Sequence, residues 1–159
     1  MAINFDEIIL GLFVINLAMA FGAGLYESRI VIPMWFNKSG VNKEVIINTD
    51  TGRKFWGMVT TVPLTLLTLV NIVEAIVSTG TLLSFWMVAA VIVLVERIMT
   101  FTYFIPTIIK LMKPDLITES QALTTSAHWM QVNKIRMALN FVGLLTSMIA
   151  YTLLVSSLK

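Results

Sequence analysis

The stretch "FWGMVTTVPLTLLTLVNIVEAIVSTGTLLSFWMVAAVIVLV", Phe55 to Val95, decides the fold. It carries one ionisable side chain, Glu74. Its two apolar runs, Phe55 to Val77 and Leu82 onward, are parted only by "STGT", Ser78 to Thr81. Roughly 20 apolar residues cross a bilayer as a helix. In hydrocarbon a single segment must satisfy its own backbone hydrogen bonds, which selects helix over an isolated strand. The stretch therefore reads as two antiparallel spans joined by a tight turn.

The rest of the chain repeats this texture. Of its 159 residues, 57% are hydrophobic and 13% charged, with a mean hydropathy of +0.87. Soluble domains carry about 25% charged residues. Apolar runs place the spans at about 8–30, 55–77, 82–112 and 128–157. The expected fold is all-α: a single integral membrane domain, residues 1–159, forming a four-helix antiparallel bundle. Ala18-Met19-Ala20 imitates a signal-peptide cleavage site, but the preceding flank holds Asp6 and Glu7 and no Lys or Arg, so the first run is read as a span. "NKSGVNKEVIINTDTGRK" (37–54) and "KPDLITESQALTTS" (113–126) read as polar loops, with Pro114 closing the helix before the second.

Lys and Arg are distributed unevenly. Arg29, Lys38, Lys43, Arg53 and Lys54 border the first loop, and Lys110, Lys113, Lys134 and Arg136 border the third. The 78–81 turn has none, and only Lys159 opposes the trend. The positive-inside rule puts loops 37–54 and 113–126 in the cytoplasm and both termini outside. A bacterial inner membrane is the expected location.

Charged residues nevertheless enter the spans, and they share a depth. Glu96 lies roughly 21 Å along its helix from Leu82 at about 1.5 Å per residue. Glu27 and Arg29 on the first span, and His128, Asn133, Lys134, Arg136 and Asn140 on the fourth, fall at a similar level. Trp129, Asn133, Arg136 and Asn140 share one helix face, as do Gly22, Tyr26, Arg29 and Pro33, and Glu96, Thr100 and Tyr103. Gly57, Thr61, Thr65 and Thr68 give the second span a small polar stripe. Intramembrane ionisable groups mark functional sites by default. Ion pairs that only fix helix register are the plainer explanation. Neighbours on a helix diverge, so Glu96 and Arg97 are each expected to pair with another helix, Glu96 with Arg136 first and Arg29 second. Two acids facing Arg29, Arg97 and Arg136 would leave one positive charge for a ligand anion or polarised oxygen.

Trp35, Trp56 and Trp129 fall near one boundary as an aromatic belt. Trp56 and Trp129 are also ligand-contact candidates, with Tyr26, Arg29, Arg97, Tyr103, Asn133 and Asn140. The spacings Ala18/Gly22 and Ala20/Gly24 suggest close helix packing. Without cysteine, the chain has no thiolate metal site, disulfide or thiol nucleophile. The net charge of +2 gives no case for nucleic acid. No phosphate loop, GxSxG, HExxH or dinucleotide fingerprint occurs.

The segments "GLYESRIVIPMWF", "RKFWGMVTTVPLTLLTL", "VERIMTFTYFIPTIIKLM" and "HWMQVNKIRMAL" resemble the landmarks of the small four-helix membrane proteins grouped with the anthrone oxygenases. The resemblance runs along nearly the whole chain. It is most specific at Glu96-Arg97 with "YFIP", and at Trp129, Asn133 and Arg136. It implies oxidation of a polycyclic anthrone by dioxygen with no metal or organic cofactor. An enolate would then form, with Glu96, Glu27 or His128 as the base and Arg136 or Arg97 beside the oxyanion. The expected partners are membrane lipid and a hydrophobic small molecule. Alternatives from other classes are a non-enzymatic lipid or quinone binder, a haem protein using His128, and a transport or structural subunit, which would need to be a homo-oligomer.

Overall fold

The computed structural model describes residues 4–37, 40–48, 54–113 and 117–157. Four long helices dominate: α1 (Phe5–Trp35), α3 (Lys54–Val77), α4 (Gly80–Leu111) and α5 (Glu119–Ser157). Between α1 and α3 lie a two-residue antiparallel ladder, Phe36–Asn37 with Gly40–Val41, and a short helix α2 (Lys43–Asn48). Helix α1 packs against α3 and α5, and α4 against α3 and α5, so neighbours in the bundle run antiparallel. All four helices are long and apolar enough to cross a membrane. Their exposed faces agree: Ile8, Leu12 and Ile15 on α1 and Leu66, Leu69, Val73 and Ile76 on α3 point outward. Apolar exterior faces on this scale suit lipid and would associate in water.

The tight turn is as expected. Only Ser78 and Thr79 separate α3 from α4, and Gly80 takes a φ of +63°, a conformation a side chain would strain. The polar loops contain more helix than their composition suggests. Residues 119–126, expected as loop, form the first turns of α5. Thr118 and Gln121 explain this: the Thr118 amide donates to Gln121 Oε1 at 3.1 Å and the Gln121 amide to Thr118 Oγ1 at 3.4 Å. That reciprocal capping box satisfies amides left open at a helix start. In the first loop, Asn42 Oδ1 accepts from the Val45 amide at 3.2 Å and starts α2, which buries Ile46. Pro114, Lys38, Arg53 and Lys159 lie outside the described residues.

Two apolar cores are stacked along the bundle. Near the 78–79 turn, Leu10, Phe13, Leu17, Leu64, Trp86, Ala89, Val93, Ala150 and Leu154 form the first. Inside it the Trp86 indole donates to Asn71 Oδ1 at 2.9 Å, both residues fully buried. At the loop end, Ile32, Trp35, Ile46, Phe104, Ile108, Leu111, Ala122 and Trp129 form the second. Gly143 lets α5 approach α4; a Cβ there would stand 2.9 Å from Val93 Cγ2. Gly24 plays the same part against Met137 of α5. The companion expectation for Ala18 and Gly22 fails: both are exposed, and nothing lies within 4 Å of a Cβ built on Gly22.

Each of the first three long helices widens once. Glu27–Val31, Gly57–Thr61 and Thr100–Phe104 form π turns, in which the Ile32, Val62 and Ile105 amides reach back five residues to the Glu27, Gly57 and Thr100 carbonyls. A proline follows every one: Pro33, Pro63 and Pro106. Proline has no N–H, and its ring crowds the carbonyl four residues earlier, so a wider turn relieves the clash. The Val59 carbonyl, four before Pro63, instead accepts from Asn16 Nδ2 of α1 at 3.1 Å. Helix α5 contains no proline and no such turn among its described residues. The three wide turns lie at one level, between the two cores.

Candidate functional site

A cavity of about 780 Å³ opens at that level. All four long helices line it, and the three π turns supply much of its wall: Glu27 and Val31 from α1, Gly57 to Thr61 without Val59 from α3, Thr100, Phe101 and Phe104 from α4. Helix α5 contributes Trp129, Arg136 and Asn140. The volume is within the usual range for small-molecule sites.

Two ion pairs cross this wall. Arg136 of α5 donates to Glu27 Oε2 of α1 at 3.2 Å. Its guanidinium carbon sits 4.3 Å from the Phe104 ring centroid and 5.6 Å from that of Trp129. Those aromatic faces hold the charge against α4 and α5. The second pair corrects the expectation for Glu96, which bonds not to Arg136 or Arg29 but to its sequence neighbour Arg97. Cβ directions at adjacent helical positions do diverge, but the long arginine stem swings back across the gap. Both partners are buried, so each supplies the counter-charge the other lacks. Thr100 Oγ1 donates to the remaining oxygen, Glu96 Oε1, at 2.9 Å.

This pairing removes the expected arginine surplus. Arg29 is exposed and does not line the cavity. Glu27 balances Arg136, and Glu96 balances Arg97. Lys54 adds a cation at the exposed rim. The two carboxylates also differ in freedom. Glu96 has both oxygens engaged and is fully buried. Arg136 holds Glu27 through one oxygen, and the Glu27 side chain is 37% exposed. Of the two, Glu27 is better placed to exchange a proton with a molecule in the cavity.

The other expected site residues divide. Tyr26, Trp56, Trp129 and Asn140 line the cavity. Asn133 is buried but does not line it. Tyr103 and His128 bond to each other, hydroxyl to Nδ1 at 2.7 Å, away from the cavity wall. Among the described residues no three His, Asp or Glu side chains converge as a metal site.

Sequence reading missed several wall residues. Trp35, assigned to an aromatic belt, is 3% exposed and lines the cavity. Thr100 is on the expected face with Glu96, but Phe104, eight residues after Glu96 and one turn beyond Thr100, is not among the expected residues although it shares that face. Evenly placed prolines after each polar stretch were the available signal for the common level. Several wall residues also carry buried polar atoms with no hydrogen-bond partner: Trp35 Nε1, Trp129 Nε1, Arg136 Nε and Asn140 Oδ1. Native interiors leave few such groups unsatisfied.

The fold and site thus define a class: an all-α membrane-type bundle with a charge-paired cavity set between two apolar cores. No family model, no curated protein and no solved structure matches the chain.

Proposed function

We propose that the chain is an integral membrane protein that binds a hydrophobic small molecule bearing oxygen in the cavity between its two cores. One observation carries this reading: a space of about 780 Å³ whose wall combines aromatic rings with the Glu27–Arg136 and Glu96–Arg97 pairs. A purely structural polar layer would be expected to close on itself. The unpartnered N–H groups of Trp35, Trp129 and Arg136 favour an oxygen acceptor on the ligand. Mass spectrometry of solvent extracts from the purified protein tests the reading. A retained apolar compound that is lost in Arg136→Ala supports it. Wild type carrying only bulk lipid, in the same proportions as the variant, overturns it.

A second reading adds chemistry, and the Glu27–Arg136 juxtaposition favours it. A carboxylate beside a guanidinium suits removal of a proton from a carbon acid: the proton goes to Glu27, and the negative charge settles on an oxygen near Arg136. The resemblance to anthrone oxygenases names dioxygen as the oxidant and an anthrone as the substrate class. Oxygen uptake with an anthrone, abolished in Glu27→Gln, is the expected result. No uptake by wild type would remove the enzymatic reading and leave the binding one.

The Lys/Arg distribution supports an orientation with the loop end in the cytoplasm, in a bacterial inner membrane. The cavity would then border the cytoplasmic leaflet.

A further inference from the structure

We propose that the cavity is filled sideways, through a lateral portal between α3 and α4, by an amphipath dissolved in the bilayer. The proposal rests on the binding reading above and adds the route and the physical state of the ligand.

The wall itself supplies the opening. Met58 of α3 and Phe101 of α4 both line the cavity, yet they are 73% and 48% exposed. Wall residues this exposed mark where the wall is open; Tyr26 of α1, at 52%, is exposed as well. The packing gives the break a place. Helix α3 meets α4 through residues 62–77, whereas its π turn Gly57–Thr61 leans on α1. The loop end of α3 is thereby drawn toward α1 at the level where α4 carries its own wide turn. Gly57 borders the gap, and nothing lies within 4 Å of a Cβ built on it.

The chemistry of the frame selects the medium. Met58 and Phe101 are large and apolar, and the exposed neighbours Val62 and Phe55 extend that surface along α3. An opening to water would expose these groups at a cost, whereas an opening to acyl chains would not. Trp56 and Lys54 follow at the loop-end edge, where an indole and a long ammonium stem suit the headgroup boundary. The entering molecule is therefore one with an apolar body and a small polar end, taken from one leaflet.

Two glycines make a controlled test. Gly57→Trp places a large side chain in open space at the portal without meeting neighbouring atoms at Cβ. Gly22→Trp does the same on exposed α1, away from the cavity. The protein is reconstituted in phosphatidylcholine vesicles containing a diazirine-bearing fatty alcohol, and adducts are mapped after brief illumination. Wild type should be labelled at Phe104, Trp129 or Asn140, which are too buried for bulk lipid to touch. Gly57→Trp should lower those adducts several-fold while Leu66 and Leu69, on the lipid face, are labelled as before. Gly22→Trp should change neither. Equal interior labelling in wild type and Gly57→Trp would overturn the portal but leave the binding site standing. No interior labelling in any protein would overturn both.

Discussion

Replacing Glu96 by glutamine should destabilise this protein far more than replacing Glu27, although each removes one carboxylate from the same layer. Glu96 is fully buried and bonds to Arg97 and Thr100. Its loss leaves the Arg97 guanidinium, itself 6% exposed, without a counter-charge. Breaking a buried pair in this way costs about 3–5 kcal/mol. For a chain of this length each kcal/mol shifts the midpoint by about 2–4 °C, so Glu96→Gln should melt roughly 6–20 °C lower. Glu27 is 37% exposed at its side chain, and such screened pairs are worth about 0–1 kcal/mol. Glu27→Gln should therefore melt within about 4 °C of wild type. The assay is thermal unfolding in detergent micelles followed by tryptophan fluorescence. A double variant, Glu96→Leu with Arg97→Met, removes both charges and should recover most of the loss, since paired burial of charge is itself costly. Thr100 would then turn to a carbonyl four residues back, as Thr60, Thr65 and Thr68 do. If Glu96→Gln melts as Glu27→Gln does, or if the double variant melts as low as the single one, the pair is not the dry, mutually compensating unit argued here.

Other outcomes follow from the packing and the charge distribution. Gly143→Ala should cost about 1–3 kcal/mol, because its Cβ would meet the fully buried Val93 at 2.9 Å. Gly24→Ala should cost less, since the atom in its way is the Sδ of Met137, a flexible side chain that can turn aside; parallel melting curves rank the two. Asn71→Leu strands the buried Trp86 indole N–H and should cost about 1–3 kcal/mol, with a shift in tryptophan emission. Cysteines placed at Asn42 and Thr79 in this cysteine-free chain should differ in intact cells: an impermeant maleimide labels position 79 and spares 42, and the reverse pattern would invert the proposed orientation.

The four apolar runs, the turn between α3 and α4, and the depth at which polar residues gather are legible in the chain alone. These are local quantities. A run of apolar residues must close its own backbone bonds in lipid, and a fixed rise per residue converts position into depth. The start of α5 was also legible, in Thr118 and Gln121, but the polar composition around it masked the capping signal. Who pairs with whom emerged from the packed bundle. Arginine and glutamate side chains span several rotatable bonds, so one depth offers several partners. Helix packing selected Arg97 for Glu96 and Arg136 for Glu27. Likewise, Pro33, Pro63 and Pro106 each announce a local disturbance, but nothing in one helix says that three will face one another. The cavity exists because the bundle brings those three wide turns to one level against the unbroken α5, where Trp35, Phe104 and Trp129 of the second core share the wall with polar side chains.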